Sequence, residues 1–187
     1  ITGETVTAGN FYLIGNPYPS AIDADEFLFG DENKDILKGT IYFWTHNTSI
    51  KKDGSAYKYA SADYASYNRT GGVGTAPNVQ VPLGKIAAGQ SFFGTAKSPG
   101  TIKFNNEMRV AGENSQFFKP AKTNKNAKTE KNRLWLTMTN PEGAYKQALI
   151  GYVTGATNEV DVDFDGLTFN GNSFIDFYSL SNTSKLA

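Results

Sequence analysis

The chain contains no cysteine and a single histidine. The first absence excludes a disulfide framework and a thiolate nucleophile, and with only one imidazole it excludes a Cys/His zinc site as well. There is no excess of either charge: 18 Lys and Arg balance 18 Asp and Glu, for a net charge of zero over 187 residues. A protein that grips nucleic acid through its phosphates carries a clear positive surplus, so nucleic acid is not expected as a partner. No apolar run approaches the roughly 20 residues that span a bilayer, so no transmembrane segment is expected either. Ala, Leu, Glu and Lys are too few for a set of long helices.

What the chain does hold is aromatic and small. Phe numbers 13, Tyr 10 and Gly 19, and aromatics make up 13% of the residues. Roughly a fifth of the chain is Leu, Ile, Val or Phe, above the composition range of disordered chains. Aromatic residues among many turn-formers predict short strands joined by tight loops. At roughly 100–200 residues per domain, residues 1–187 read as a single β-rich module. Its first residue is Ile1 and its last Ala187, and both ends read as cut from a longer chain.

The strand signals are local and specific. Phe11–Ile14 is an apolar run stopped by Gly15-Asn16-Pro17-Tyr18-Pro19, whose prolines remove ladder donors. One short helix is expected near residues 20–29, with Ser20 as its N-cap, Asp23 three residues on and acids in its first turn. Thr40–Thr45 is the clearest strand, with Ile41 and Phe43 on one face and Tyr42 and Trp44 on the other. Asn47–Gly54 reads as a hairpin loop. Ser91–Thr95 and Thr101–Asn105 are expected to form a hairpin across Pro99-Gly100. Leu134, Leu136 and Met138 alternate with Trp135, Thr137 and Thr139, which predicts a strand with one face on a core. Ala144–Val153 is its partner across the Asn140–Gly143 turn. Val160–Phe164 and Ser173–Leu180 complete about ten strands. The fold class expected is all-β, an antiparallel sandwich or jelly roll.

Few residue sets carry chemistry. Asp161, Asp163 and Asp165, followed by Gly166, match the opening of a calcium loop, so Ca²⁺ is the one cofactor the spacing admits; the bidentate acid such a loop needs at its twelfth position is Asn172 here. The competing reading is an edge strand with its carboxylates in water. Further acids cluster around Asp23–Glu26, and paired carboxylates serve glycoside hydrolysis when they flank one cleft; the reading favoured is a solvated helix face with its capping acids. His46 has no nucleophile signature beside it and reads as structural. Trp44, Tyr57, Tyr59, Tyr64 and Tyr67 are candidates for a sugar-stacking platform, since amphipathic rings suit sugar faces, with core packing the alternative for each. The basic stretch Lys119–Arg133 lacks apolar periodicity and reads as an exposed loop.

A wider pattern then emerges. Gly15-Asn16-Pro17-Tyr18-Pro19-Ser20-Ala21-Ile22-Asp23 resembles the GNPYPSAID signature of large secreted and surface proteins of the Bacteroidetes. The likeness continues in order through Ile41–His46, Asp63–Asn68 with Gly71-Gly72, Ile86–Phe93, Phe104–Arg109, Leu134–Leu136, Leu149–Tyr152, Ala156-Thr157 and Asp165-Gly166. The resemblance implies a β-rich region near the C-terminus of multidomain exported proteins, upstream of a sorting domain read by the type IX secretion system. Such regions occur in adhesins and gliding-surface proteins, and no catalytic residue carries over from them. Asp163 departs from the pattern, which more often has a small residue there. The expectation is a non-catalytic structural or adhesive module at the outer cell surface or in the medium. Its partners would be other domains of the same parent protein, the secretion machinery in transit, and surface glycans or neighbouring surface proteins. The alternatives are a glycan-binding module or a glycoside-hydrolase-type enzyme using acids near Asp23–Glu26 or Asp161–Asp165.

Overall fold

The run LKGTIYFW, aromatic and β-branched at its C-terminal half, forms the middle strand of a five-stranded antiparallel sheet. It is seen in a computed structural model that describes residues 1–45, 63–76, 81–113, 132–141, 144–169 and 175–187, and the backbone of 51–53 and 56–58. In chain order the first elements are β1 (Thr2–Val6), β2 (Phe11–Gly15), β3 (Ala21–Asp23), α1 (Ala24–Phe29) and β4 (Leu37–Trp44). Then come β5 (Lys51–Asp53), β6 (Ala56–Lys58), β7 (Tyr64–Tyr67), β8 (Gly72–Val73), β9 (Lys85–Ile86), β10 (Ser91–Ala96) and β11 (Gly100–Lys103). The last are β12 (Arg109–Val110), β13 (Asn132–Thr139), β14 (Tyr145–Tyr152), β15 (Ser179–Ser181) and β16 (Ser184–Leu186).

The central sheet has the order β2-β10-β4-β7-β8, and a three-stranded sheet has the order β12-β3-β9. Two-stranded pairs β1-β11, β13-β14, β15-β16 and β5-β6 complete the set, and every pairing is antiparallel. The chain is therefore all-β, an antiparallel sandwich with one short α-helix among the described residues.

Period-two alternation divides the central sheet into two faces. Tyr12, Phe92, Ile41, Phe43, Ala65 and Tyr67 point inward and are buried. All but Ala65 join Phe27 and Leu28 of α1, Ile22 of β3, Ile86 of β9 and Ile102 of β11 in one core cluster. Phe27 anchors it: its ring lies 5.2 Å from Phe92, edge to face, and 5.2 Å from Phe104, stacked. Full burial of each such side chain stabilises by roughly 1.5–3 kcal/mol.

The helix starts later than its sequence suggests. Ser20 is not the cap; Asp23 is, accepting from Asp25 N at 2.9 Å and Glu26 N at 3.3 Å. The reason is tertiary. Ala21–Asp23 is held extended as β3, with Ile22 opposite both Ile86 and Arg109, so helical dihedrals begin only at Ala24. Gly30 N–H closes the last turn on Glu26 O at 3.1 Å.

The loop that follows β2 is organised by one buried amide. Asn16 Nδ2 donates to the carbonyls of Ser20, Ile86 and Ala87 at 2.8–3.0 Å, and Asn16 Oδ1 accepts from Tyr18 N at 2.9 Å. This loop is thus tied across about seventy residues to the end of β9.

On the outer face, the segment 161–169 lies over β4. Gly39 N donates to Val162 O at 2.8 Å, Thr40 Oγ1 to Asp165 O at 3.1 Å, and Tyr42 Oη to Leu167 O at 3.2 Å. The approach is close enough that a β-carbon on Gly39 would stand 2.5 Å from Asp163 Cα. Gly39 sits inside β4.

Further expectations change. Ser91–Ala96 and Gly100–Lys103 are not a hairpin: β10 pairs with β2 and β4, while β11 pairs with β1. The intervening turn is held by Ile36 O, which accepts from Lys97 N and Ser98 N, and it carries the chain from one sheet to another. The strand at Leu134–Met138 does pair with β14 as expected, yet every residue of β13 is exposed. Val160–Phe164 is a turn, with Phe164 N and Asp165 N both donating to Asp161 O. Of Ser173–Leu180, the described residues are strand only from Ser179. The expected loop at Asn47–Gly54 includes β5, paired with β6. Within the basic stretch, residues 119–131 lie outside the described residues, as does His46.

Candidate ligand-binding face

The outward side of the five-stranded sheet carries a run of rings. Phe93 on β10 lies opposite Leu13 on β2 and Tyr42 on β4, and Trp44 on β4 lies opposite Tyr64 on β7. Strand alternation puts all five on the side away from the core. Tyr42 and Phe93 stack with centroids 4.9 Å apart and planes 20° from parallel. Tyr64 meets Phe93 edge-on at 5.0 Å, and Phe11 meets it at 5.9 Å. Phe169, from the segment that covers β4, closes on Tyr42 at 4.8 Å. Pairs at these separations add about 0.5–1.5 kcal/mol beyond simple burial, so the array is a stiff surface rather than a set of independent side chains.

Part of this array is open. Phe11 is 62% exposed, Leu13 70% and Trp44 45%. With Tyr64, Phe93 and Phe169 they line a shallow groove of about 770 Å³, with Glu4 and Ser91 as polar neighbours. Tyr42 is anchored by its bond to Leu167 O, and burial pushes its hydroxyl up to about 12, so it remains a neutral donor at physiological pH. Rings in this arrangement offer apolar faces and edges to the faces of sugar rings or to apolar side chains.

The residues expected at such a site divide. Trp44 and Tyr64 are brought together as a cross-strand pair. Tyr67 is not: three residues from Tyr64, it falls on the inward face, where its buried hydroxyl donates to Asp25 Oδ1 at 3.2 Å and burial raises its pKa. Tyr57 belongs to β6, but its side chain, like all of Tyr59, lies outside the described residues. Phe11, Leu13, Tyr42, Phe93 and Phe169 are the members that sequence reading missed. The paired phenylalanines at 92–93 and the alternation of Phe11 with Leu13 were the available signals. Trp135 is part exposed, but its Nε1 donates to Gly72 O at 3.0 Å, and the Arg133 guanidinium lies 5.3 Å from its ring.

The carboxylates are dispersed into separate local roles. Asp23 caps α1 and pairs with Lys85. Asp25 receives the Tyr67 hydroxyl, and Glu32 pairs with Lys103 at 3.1 Å. The calcium spacing does not produce a calcium geometry. Asp161 accepts from Thr157 N, Asp165 accepts from Asp161 N at 2.8 Å, and Asp163 pairs with Lys97 at 3.3 Å. The helical turn at 161–165 keeps Asp161 and Asp165 on one side, engaged with backbone N–H groups, and turns Asp163 away to Lys97. Among the described residues no three His, Cys, Asp or Glu side chains converge to hold a metal ion. Asp165 instead lines a polar cavity of about 200 Å³ with Ser66, Asn68 and Thr70, and burial raises its pKa.

Comparison with known proteins gives one family: a domain of unknown function (DUF8693), matched over residues 2–187. No curated protein and no solved structure matches the chain.

Proposed function

The chain belongs to this family, and we propose that it is a non-catalytic adhesive module of a bacterial protein exported through the type IX secretion system to the cell surface or the medium. The observation that carries the reading is the open half of the aromatic face, Phe11, Leu13, Trp44 and Tyr64 around Phe93. Exposed aromatic patches of this kind mark contact surfaces, and on an extracellular protein the abundant ligands are glycans, whose apolar ring faces stack on Trp and Tyr. The export route rests on the ordered resemblance of residues 15–166 to exported Bacteroidetes proteins. A hydrolase reading draws no support from the acids: such enzymes set two carboxylates across one cleft at about 5–10 Å, whereas Asp23, Asp25, Asp161 and Asp163 each serve a cap, a hydrogen bond or an ion pair. Among the described residues no helix is long and apolar enough to cross a membrane.

The test is binding of the labelled chain to an array of bacterial surface polysaccharides and oligosaccharides. The expected result is a defined set of bound glycans, with affinity lowered about tenfold or more by Trp44→Ala or Tyr64→Ala. Absence of any bound glycan, or binding indifferent to both substitutions, rejects the glycan-contacting reading.

A further inference from the structure

The two edges of the five-stranded sheet are treated differently. At β8 the edge is covered: Trp135 Nε1 donates to Gly72 O and Gly74 N to Gln147 Oε1, both at 3.0 Å. At β2 the outward peptide groups are unpaired among the described residues. The bonds from Asn16 N to Gln90 O (3.0 Å) and from Ala96 N to Asn10 O (2.9 Å) fix which peptide groups face β10: those of Asn10, Tyr12, Ile14 and Asn16. The N–H and C=O groups of Phe11, Leu13 and Gly15 therefore point away from the sheet, and no backbone bond from the described residues receives them there. β1 lies beside this edge, with Glu4 near Phe11 and Leu13, but its backbone pairs with β11. Natural edges are guarded by lysine, proline or a bulge. Phe11–Gly15 has none of these, and its two outward side chains are the exposed Phe11 and Leu13.

We propose that β2 is a pairing edge and that its occupant is β2 of a second copy of this chain. A strand that fits must offer free peptide groups at alternate residues and apolar side chains on one face, and β2 itself meets both conditions. Antiparallel pairing centred on Leu13 sets Phe11 of one copy opposite Gly15 of the other and Leu13 opposite Leu13. Each outward donor then meets an outward acceptor. The ring of Phe11 lies over a residue with no side chain, the arrangement by which an aromatic shields a strand glycine. The contact is isologous and closes on itself as a two-fold dimer. Charge does not oppose it, because the net charge is zero. The aromatic grooves of the two copies would run together across the axis. This inference does not rest on the adhesive reading.

Sedimentation velocity from about 1 µM to 1 mM, the range that separates moderate from weak association, tests it. The expected result is a monomer–dimer equilibrium that Leu13→Lys weakens at least about tenfold, while the near-ultraviolet circular dichroism stays native. Phe11→Lys provides a second variant should Leu13→Lys disturb folding, and Tyr152→Lys, exposed on β14, should leave the equilibrium unchanged. A chain that stays monomeric to 1 mM, or a dimer that survives both edge substitutions, overturns the proposal. A monomeric chain whose glycan binding falls with Leu13→Lys assigns the edge to a foreign ligand, and so overturns the dimer while sparing the adhesive reading.

Discussion

The hydroxyl of Tyr12 fills the space that a β-carbon on Gly94 would need: such a carbon would stand 2.4 Å from Tyr12 Oη and 3.0 Å from Thr40 O. Tyr12 on β2 is opposite Gly94 on β10, so the ring tip lies directly over the neighbouring backbone. Gly94→Ala should therefore destabilise the fold by about 1–3 kcal/mol through overpacking, measured by urea denaturation.

Tyr12→Phe should do the reverse. The Tyr12 hydroxyl is buried and has no hydrogen-bond partner among the described residues, and an unsatisfied buried polar group costs about 1–3 kcal/mol. Removing it should leave stability unchanged or raise it by about 1 kcal/mol. A clear loss of stability in the same denaturation experiment would mean that the hydroxyl is bonded after all.

Asn16→Ala should be among the most damaging substitutions outside the apolar core. It would leave three carbonyls and one N–H without their partner, a loss of about 3 kcal/mol or more. Thermal unfolding should show it as a drop of roughly 6–12 °C for a chain of this size.

Asp165 makes stability depend on pH. Burial raises its folded pKa above the ordinary 3.8. A carboxyl raised in this way favours the folded state while protonated, and that advantage is lost as pH rises through the folded value. Asp165→Asn keeps an acceptor for Asp161 N but cannot ionise. It should therefore raise the melting temperature at neutral pH, and the gain should fade as the pH is lowered toward 3.8. A gain of equal size at every pH would contradict this origin.

Calcium should not move the melting temperature. An ion bound only to the folded chain at a hundred times its Kd adds about 2.7 kcal/mol, or roughly 5–10 °C here. With Asp161, Asp163 and Asp165 turned to three different partners, the melting curves in saturating Ca²⁺ and in EDTA should superimpose.

The parts of the fold legible from sequence were those fixed by neighbours along the chain. Ile41 and Phe43 against Tyr42 and Trp44, and the β13-β14 hairpin, follow from alternation and a nearby turn. The errors fall where distant chain decides. Ser20 loses the cap because β9 and β12 hold Ala21–Asp23 extended. β11 leaves β10 for β1, about a hundred residues away. The aromatic face was half legible for a related reason. The segment 161–169 covers part of the outer side, so both sides of β4 are apolar and alternation alone cannot say which rings stay open. Tyr67 shows the same ambiguity, since only the register with β4 decides that it packs beside Asp25.

The stitching of residues 162–167 onto Gly39, Thr40 and Tyr42 has a temporal side. Synthesis delivers a chain from its N-terminal end to its C-terminal end. When the central strands are already available, the piece that seals their outer surface has yet to arrive. Until it does, Tyr42 and Phe93 stand uncovered, and the half-made layer is most vulnerable to clumping in that interval.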